Sequence, residues 1–290
     1  SDAEGGHSFN GLNQLRYLYF CITCASYLLI LLLNVSILAL ICVKQSLHQP
    51  MYIFLANLLL NTVTGCAAFY PKLLHDLLRD VQVISRTGCL LQAFCIHIYV
   101  SVECNILTAM AFDRYAAIAH PLTYHSLFSS STVHGLLAAA WVLPVAGYTC
   151  LLSLSGRLPL CASSVSRTFC DNRSITYQSF PLLPILFSYT KILKVCFSGS
   201  KQTRQKAVST CTPHLLSLLN YSFGAFFEIL QTRLDLTNIS KVQKNVLSLY
   251  FSVLQPLLNP IMFGMQMSKI RNTCKHLLCC KLFPGHRDSV

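Results

Sequence analysis

The chain has 290 residues, of which 53% are hydrophobic and 11% charged, with a formal net charge of +12 and a mean hydropathy of +0.52. Ordinary soluble domains carry about 25% charged residues, so the composition excludes most soluble folds and favours a membrane protein. The positive charge fits contact with anionic lipid headgroups and an intracellular partner, and it does not require nucleic acid.

Apolar stretches recur along the whole chain. About 20 apolar residues suffice to cross the hydrocarbon core as a helix, and lipid leaves no other partner for the backbone polar groups of such a stretch. We therefore predict an all-α membrane protein with a single domain over residues 1–290: a tail at 1–16, a seven-helix bundle at 17–265 and a terminal segment at 266–290. The predicted spans are Tyr17–Val43, Met51–Leu74, Cys89–Ala119, Val133–Leu154, a weaker Ile175–Phe197, Ala207–Leu230 and Val246–Met265. The first span is too long for the apolar core of a cleavable signal peptide.

The fifth span is short. Its apolar part, 175–190, contains Pro181 and Pro184 and would rise only about 24 Å as a helix, against a hydrocarbon core of about 30 Å. We predict that this span is truncated.

A motif of fifteen residues lies at the end of the third predicted span. Residues 110–124 read M-A-F-D-R-Y-A-A-I-A-H-P-L-T-Y. Asp113 and Arg114 can hold each other at a helix end, and release of the arginine offers a fork of donors to a partner. The tripeptide alone also arises by chance at solvated helix ends. The whole string resembles the signature of the odorant receptors, a family of rhodopsin-like G-protein-coupled receptors.

Other motifs extend the resemblance over nearly the whole chain. Residues 206–215 read K-A-V-S-T-C-T-P-H-L and residues 256–263 read P-L-L-N-P-I-M-F. Gly11-Leu-Asn and Q-P-M-Y at 49–52 also match, in a form most similar to the fish receptors.

The resemblance implies a signalling receptor and not an enzyme. It implies a plasma-membrane protein with the amino terminus and 1–16 outside and 266–290 in the cytoplasm. Its partners would be a small organic odorant and a heterotrimeric G protein of the stimulatory type that raises cyclic AMP, with membrane lipid around it and no cofactor or metal. Lys and Arg are spread too evenly over the loops to fix this orientation by themselves.

Site residues follow from the same resemblance. The residues expected to bind the ligand are Ile96, His97, Val100, Ser101, Tyr221, Ala225 and Ser252. Those expected to serve activation and G-protein coupling are Asp113, Arg114, Tyr115, His214, Asn259 and Pro260. A lone histidine in a span is often simply packed and hydrogen-bonded. Both interpretations of His97, as a ligand-binding residue and as a packed residue, therefore stay open.

Glu103 is an acid inside the third span, where an ionisable group is expensive and by default functional. The family usually adds an aspartate in the second span, where this chain has Thr62, so ion binding at Glu103 is left open. Phe263 stands where a tyrosine is usual, and any role of that hydroxyl is lost.

The Asn259-Pro260 pair predicts a hinge in the seventh span. Proline removes a backbone donor and kinks the helix, and Asn259 with nearby waters can satisfy the freed groups. A plain packing kink is the alternative.

Most of the fifteen cysteines lie in predicted spans or on the cytoplasmic side, where thiols stay reduced. The resemblance pairs Cys89 with Cys170 over the mouth of the pocket and leaves Cys161 unpaired. Asn172 and Asn238 are predicted glycosylation sites in outer loops. The sequons at Asn34 and Asn220 lie in spans and should be unused.

The terminal segment contains a basic amphipathic stretch, Ser268–Lys281, predicted to lie on the membrane with Cys279 and Cys280 as lipidation sites. A solvated tail is the alternative.

Three other functions are alternatives to a receptor for this sequence. A retinal-binding pump needs a lysine in the seventh span, and none lies between Asn245 and Met267. A membrane enzyme lacks support, because the chain has no H-E-x-x-H motif and no nucleophile elbow. A receptor-derived product that does not signal, owing to the fifth-span deletion, stays open beside the receptor.

Overall fold

The computed structural model describes residues 4–79, 84–155, 190, 212, 215–224, 253–264, 267 and 269–273, with the side chains of 4–15 and 154–155 excepted. Its main elements in chain order are α1 (Glu4–Val43), a 3-10 turn (Gln45–Leu47), α2 (Pro50–Leu77), α3 (Arg86–Ala119), α4 (Tyr124–Leu127) and α5 (Ser130–Ser155). Residues 215–224, 253–264 and 269–273 are also helical, and no strand occurs within the described ranges.

Four of these helices are long and apolar enough to cross a membrane: Arg16–Val43 within α1, all of α2, all of α3, and Ser130–Ser153 within α5. They confirm the first four predicted spans, with ends that differ by at most three residues. Helical backbone begins at Glu4 and so extends into the predicted tail. The described parts of the sixth and seventh predicted spans are helical, whereas the fifth lies outside the described residues except for Thr190.

Local sequence sets the helix ends. Pro50 occupies the first turn of α2, where its missing N–H costs nothing. Ser85 caps α3, since its Oγ accepts a hydrogen bond from the backbone N–H of Gly88 at 3.0 Å, as preferred capping residues do. At the other end His120 precedes Pro121 and leaves the helical conformation, with φ −133° and ψ 56°, because proline disfavours helical geometry in the residue before it.

α3 is the central helix of the described part, with α2 and α5 packed against it and α1 packed against α2. The most apolar windows of α2 and α3 are 44% and 39% buried, against 22% for α1 and 17% for α5. Apolar side chains on α1 and α5 therefore face outward, as Leu32 and Leu143 do at 65% and 67% exposure. Such outward apolar faces suit contact with lipid.

α2 and α3 approach each other closely at Gly65. A Cβ placed there would lie 2.5 Å from Cδ2 and 2.7 Å from Cγ of Tyr99. One turn earlier on α2, Asn61 Nδ2 donates to the backbone carbonyl of Tyr99 at 2.9 Å. The absence of a side chain at Gly65 is thus what allows the ring of Tyr99 to lie against the backbone of α2.

A second cluster joins α1 and α2 to the helical residues 253–264. The rings of Tyr27 and Tyr70 stack with centroids 4.8 Å apart, and Ile30 and Cys66 are buried beside them. From residues 253–264, the side chains of Val253 and Leu257 pack against this cluster.

Candidate functional site

A polar network centres on Glu103, whose side chain is only 1% exposed. Gln255 Nε2 and Asn259 Nδ2 both donate to its Oε1, each at 2.9 Å. The hydroxyl of Tyr99 lies near the same carboxyl but has no partner in hydrogen-bond geometry. No Lys or Arg in the described part of the chain forms an ion pair with Glu103, so neutral groups alone satisfy this acid.

The network continues into the sixth predicted span. Ser217 Oγ donates to Oδ1 of Asn259 at 2.7 Å, and Asn220 Nδ2 donates to Oε1 of Gln255. Ser217 and Asn259 are fully buried. One chain of hydrogen bonds therefore connects α3 to residues 215–224 and 253–264, and buried polar networks of this kind act as a unit.

Thr62, at the position where the family usually has an aspartate, does not join Glu103. Its hydroxyl donates to the Leu58 carbonyl of its own helix at 3.0 Å, and the neighbouring Asn61 bonds to the Tyr99 backbone. The residues around Glu103 thus provide one carboxylate and several amides.

The carbonyl freed by Pro260 has a different partner from the one predicted. Proline at 260 has no N–H to donate to the carbonyl four residues earlier, at Pro256. Asn34 Nδ2 donates to that oxygen at 3.1 Å and also to the Ile30 carbonyl at 2.8 Å. The sequence assigned this task to Asn259, whose amide is instead directed to Glu103. Residue 34, considered above as an unused sequon, is therefore the side chain that ties α1 to the proline-containing helix.

Asp113 and Arg114 form the predicted pair at the end of α3. Arg114 donates to Asp113 Oδ2 from Nε at 2.8 Å and also from Nη2. The hydroxyl of Tyr124, on α4, donates to the other oxygen, Oδ1, at 2.6 Å. Both carboxylate oxygens of the fully buried Asp113 are thus occupied, and the arginine is held by its neighbour.

Tyr124 is fixed in this position by its surroundings. Its ring stacks on Phe128 with centroids 5.4 Å apart, and Phe128 packs edge-on against Phe54 of α2. Burial, together with the hydrogen bond to Asp113, raises the pKa of the Tyr124 hydroxyl, so this group stays protonated and remains a donor. Tyr115, from the same motif, has an edge-on ring contact with His120 at 5.9 Å.

The residues predicted to bind the ligand are partly brought together. Ile96, His97, Val100 and Ser101 lie on α3, and Tyr221 donates from its hydroxyl to the Val100 carbonyl at 3.2 Å. Ala225 and Ser252 lie outside the described residues.

His97 is buried and has two contacts. Its Nδ1 is 2.6 Å from the Ala93 carbonyl oxygen, and its ring centroid is 4.9 Å from that of Tyr148 on α5. The Tyr148 hydroxyl lies near Ser101. The histidine is thus packed and hydrogen-bonded, which is compatible with either reading made from the sequence.

Cys89 is disulfide-bonded. The other cysteines of the described part are free thiols: Cys21, Cys24, Cys42, Cys66, Cys95, Cys104 and Cys150. They are therefore not its partner. Cys170 lies outside the described residues, and so do His214, Asn172, Asn238 and Cys161, so the pairing and the other assignments at these positions stay predictions.

Four hydrogen-bonding residues were not predicted to be functional from the sequence: Asn34, which bonds to Pro256, and Ser217, Asn220 and Gln255 of the Glu103 network. One signal could have found them, since a polar side chain inside an apolar span needs a partner. Phe263, in place of the usual tyrosine, is completely buried in the core.

Comparison with known proteins gives matches over most of the chain. A sequence model of the olfactory receptor family matches residues 23–181 and 174–281. Human Olfactory receptor 8A1 is 31% identical, over 97% of this chain and 94% of its own length. Rat Olfactory receptor-like protein I9 is 30% identical over 94% and 93%, and human Olfactory receptor 10A3 is 30% identical over 91% and 90%. These mammalian relatives do not bear on the prediction of a fish-like form. A family match over most of the chain, on a helical membrane protein with the expected motif at the end of α3, shows that the chain belongs to the olfactory receptor family of multi-pass membrane receptors.

Proposed function

We propose that this protein is an odorant receptor of the plasma membrane, with its amino terminus outside. In this proposal a small organic ligand binds within the helical bundle. The end of α3 that carries Arg114 then activates a heterotrimeric G protein of the stimulatory type, which raises cyclic AMP. The observation that carries the proposal is that α3 bears the Glu103 network in its middle and the arginine pair near its C-terminal end.

The ligand would act on the helical residues 215–224. Tyr221 in that segment reaches the predicted ligand residue Val100, while Ser217 and Asn220 hold Asn259 and Gln255. A ligand that displaces Tyr221 therefore shifts the helix on which the Glu103 network depends. It favours the active state by the difference in its affinity for the two arrangements.

Activation at the cytoplasmic end requires release of Arg114. In the present arrangement Asp113 holds the guanidinium through Nε and Nη2, so two of the nitrogens that would engage a partner are already bonded. Guanidinium offers a planar fork of five donors once it is free, and it is the group that we assign to contact with the G protein.

Replacement of Arg114 by alanine tests this function. We expect Arg114→Ala to abolish agonist-evoked cyclic AMP in cells, with surface delivery near normal, because the residue lies far along α3 from the ligand residues. Arg79→Ala is the matched control, an exposed arginine just after α2 that should leave the response intact. Full signalling by Arg114→Ala in response to an odorant mixture would contradict the role assigned to it.

A receptor-derived product without signalling activity is the second candidate. The two matched segments of the family model, 23–181 and 174–281, overlap at the predicted fifth span. The alignment with Olfactory receptor 8A1 extends over 312 positions, more than the 290 residues of this chain. The overlap supports a deletion in this region, and the alignment length supports gaps in this chain without locating them.

The genomic DNA and the full-length transcript across codons 170–185 decide between a shortened gene product and an intact receptor. If coding sequence for a complete fifth span is present, the truncation is not a property of the gene. If this coding sequence is absent from both the genomic DNA and the transcript, the result supports the receptor-derived product without signalling activity.

A further inference from the structure

His97 holds its imidazole in one tautomer. Its Nδ1 lies 2.6 Å from the backbone carbonyl oxygen of Ala93. A carbonyl oxygen accepts hydrogen bonds and cannot donate them, so at this distance Nδ1 carries the proton. In the neutral ring the other nitrogen, Nε2, then has a lone pair and no proton.

The Nε2 atom remains available. Within the described part of the chain, the Ala93 carbonyl is the one hydrogen-bond partner of the imidazole, and the residue keeps 8% of its surface exposed. The fully enclosed polar atoms that lack a partner there are Asn34 Oδ1 and the Tyr99 hydroxyl oxygen, and Nε2 is not among them. Within the described part of the chain, Nε2 is therefore an acceptor without a partner that is not completely enclosed.

The orientation of the His97 ring is also restrained by its neighbours. Contact with the Tyr148 ring, at 4.9 Å and 45°, restrains one face, and the bond to Ala93 restrains one edge. Flipping the ring would sacrifice the hydrogen bond to a carbonyl of the same helix. An acceptor fixed before binding spends little free energy on ordering when a ligand arrives.

We propose that His97 is a specificity-determining residue that selects odorants carrying a hydrogen-bond donor, such as alcohols, over ethers of the same shape. The ligand hydroxyl donates a hydrogen bond to Nε2. An ether oxygen has no proton to donate, so it repels the lone pair of Nε2 and leaves that nitrogen without a hydrogen bond. Sites built to hydrogen-bond one group discriminate strongly against the analogue that lacks it. This inference rests on the odorant-receptor function proposed above.

Matched probes test the selectivity. Straight-chain primary alcohols and their methyl ethers are applied to cells that carry a cyclic-AMP reporter and express the full chain. We expect alcohols to act at concentrations about tenfold lower than the ethers, the change associated with one ordinary hydrogen bond. His97→Gln, which offers both a donor and an acceptor, should remove most of this difference. The control is His134→Gln, because His134 is an exposed histidine at the other end of the bundle, beside Ser130, and its replacement should keep the difference.

A measurement of the tautomer separates this inference from the signalling function. Nitrogen NMR of the isotope-labelled full chain in lipid nanodiscs is compared with the same spectrum of His97→Gln. The signal lost in the variant should show a protonated Nδ1 and an unprotonated Nε2.

A protonated Nε2, or equal responses of the wild type to alcohols and ethers, overturns the proposal. A chain that shows the expected tautomer but never raises cyclic AMP contradicts the proposed function and leaves the acceptor assignment standing.

Discussion

Tyr124 occupies the oxygen of Asp113 that Arg114 leaves free. Its replacement by phenylalanine keeps the ring on Phe128 and removes a hydrogen bond to a charged group, which is worth about 1.5–3 kcal/mol. We expect Tyr124→Phe to weaken the ion pair between Arg114 and Asp113 and therefore to raise ligand-independent cyclic AMP several-fold. Tyr17→Phe, at an exposed tyrosine of α1, is the control. Unchanged basal signalling at normal surface level would show that the hydroxyl does not restrain the arginine.

The bond from Asn34 to the Pro256 carbonyl makes a second prediction about single residues. Asn34→Leu leaves that buried carbonyl without a partner, at a cost of about 1–3 kcal/mol, so thermal unfolding of the purified receptor should occur at lower temperature. In a Pro260→Ala background the helix supplies its own donor, and the same replacement should cost less.

The double-mutant cycle isolates this coupling, since each variant is compared with its own parent. Ser36→Ala serves as control, because this exposed hydroxyl bonds to the Leu32 carbonyl of its own helix. Equal costs of Asn34→Leu in both backgrounds would mean that Asn34 acts independently of the proline.

At the scale of elements, the approach of α2 to α3 depends on one missing side chain. A Cβ at position 65 would lie within 3 Å of two atoms of the Tyr99 ring, including Cγ close to the backbone. We expect Gly65→Ala to force the helices apart or to displace the ring, with a destabilisation of about 1–3 kcal/mol and reduced surface delivery. Gly147→Ala on α5, where nothing lies within 4 Å, should be neutral or slightly stabilising by helix propensity. Thermal stability of both variants in the same detergent gives the comparison, and equal stabilities would argue against a required close contact.

The helices themselves were largely predictable, and their lateral contacts were not. Length and apolarity identify α1, α2, α3 and α5, because a span has to satisfy its own backbone in lipid. The motif at Asp113 and Arg114 predicted their pairing, since the two residues are adjacent. Asn34 and Pro256 are 222 residues apart in sequence, and no local pattern encodes which helices meet. The same holds for Tyr124, whose bond to Asp113 depends on where the short α4 packs.

At the scale of the whole molecule, the predicted fifth-span deletion decides whether the receptor can work. A stretch of sixteen residues with two prolines is too short for a regular helix across a core of about 30 Å. We expect the chain as given to signal weakly, because the missing outer half would form one wall of the ligand pocket. A chimera that inserts the corresponding part of a related receptor's fifth span after Ile175 should raise both surface expression and odorant-evoked cyclic AMP. A matched insertion of scrambled polar sequence should not. If the unmodified chain performs as well as the chimera, the gap is tolerated.

The hydrogen bond between Tyr124 and Asp113 also has a thermodynamic consequence for the partner of this receptor. If the G protein binds only after Arg114 leaves Asp113, every kcal/mol that stabilises the held pair is subtracted from the free energy of G-protein binding. Linkage makes this effect reciprocal. Any change on α4 that strengthens the bond weakens the affinity for the G protein by some factor, and the bound G protein then disfavours the bond by that same factor. Under that condition, the short helix α4 would set the threshold of coupling without itself having to touch the ligand.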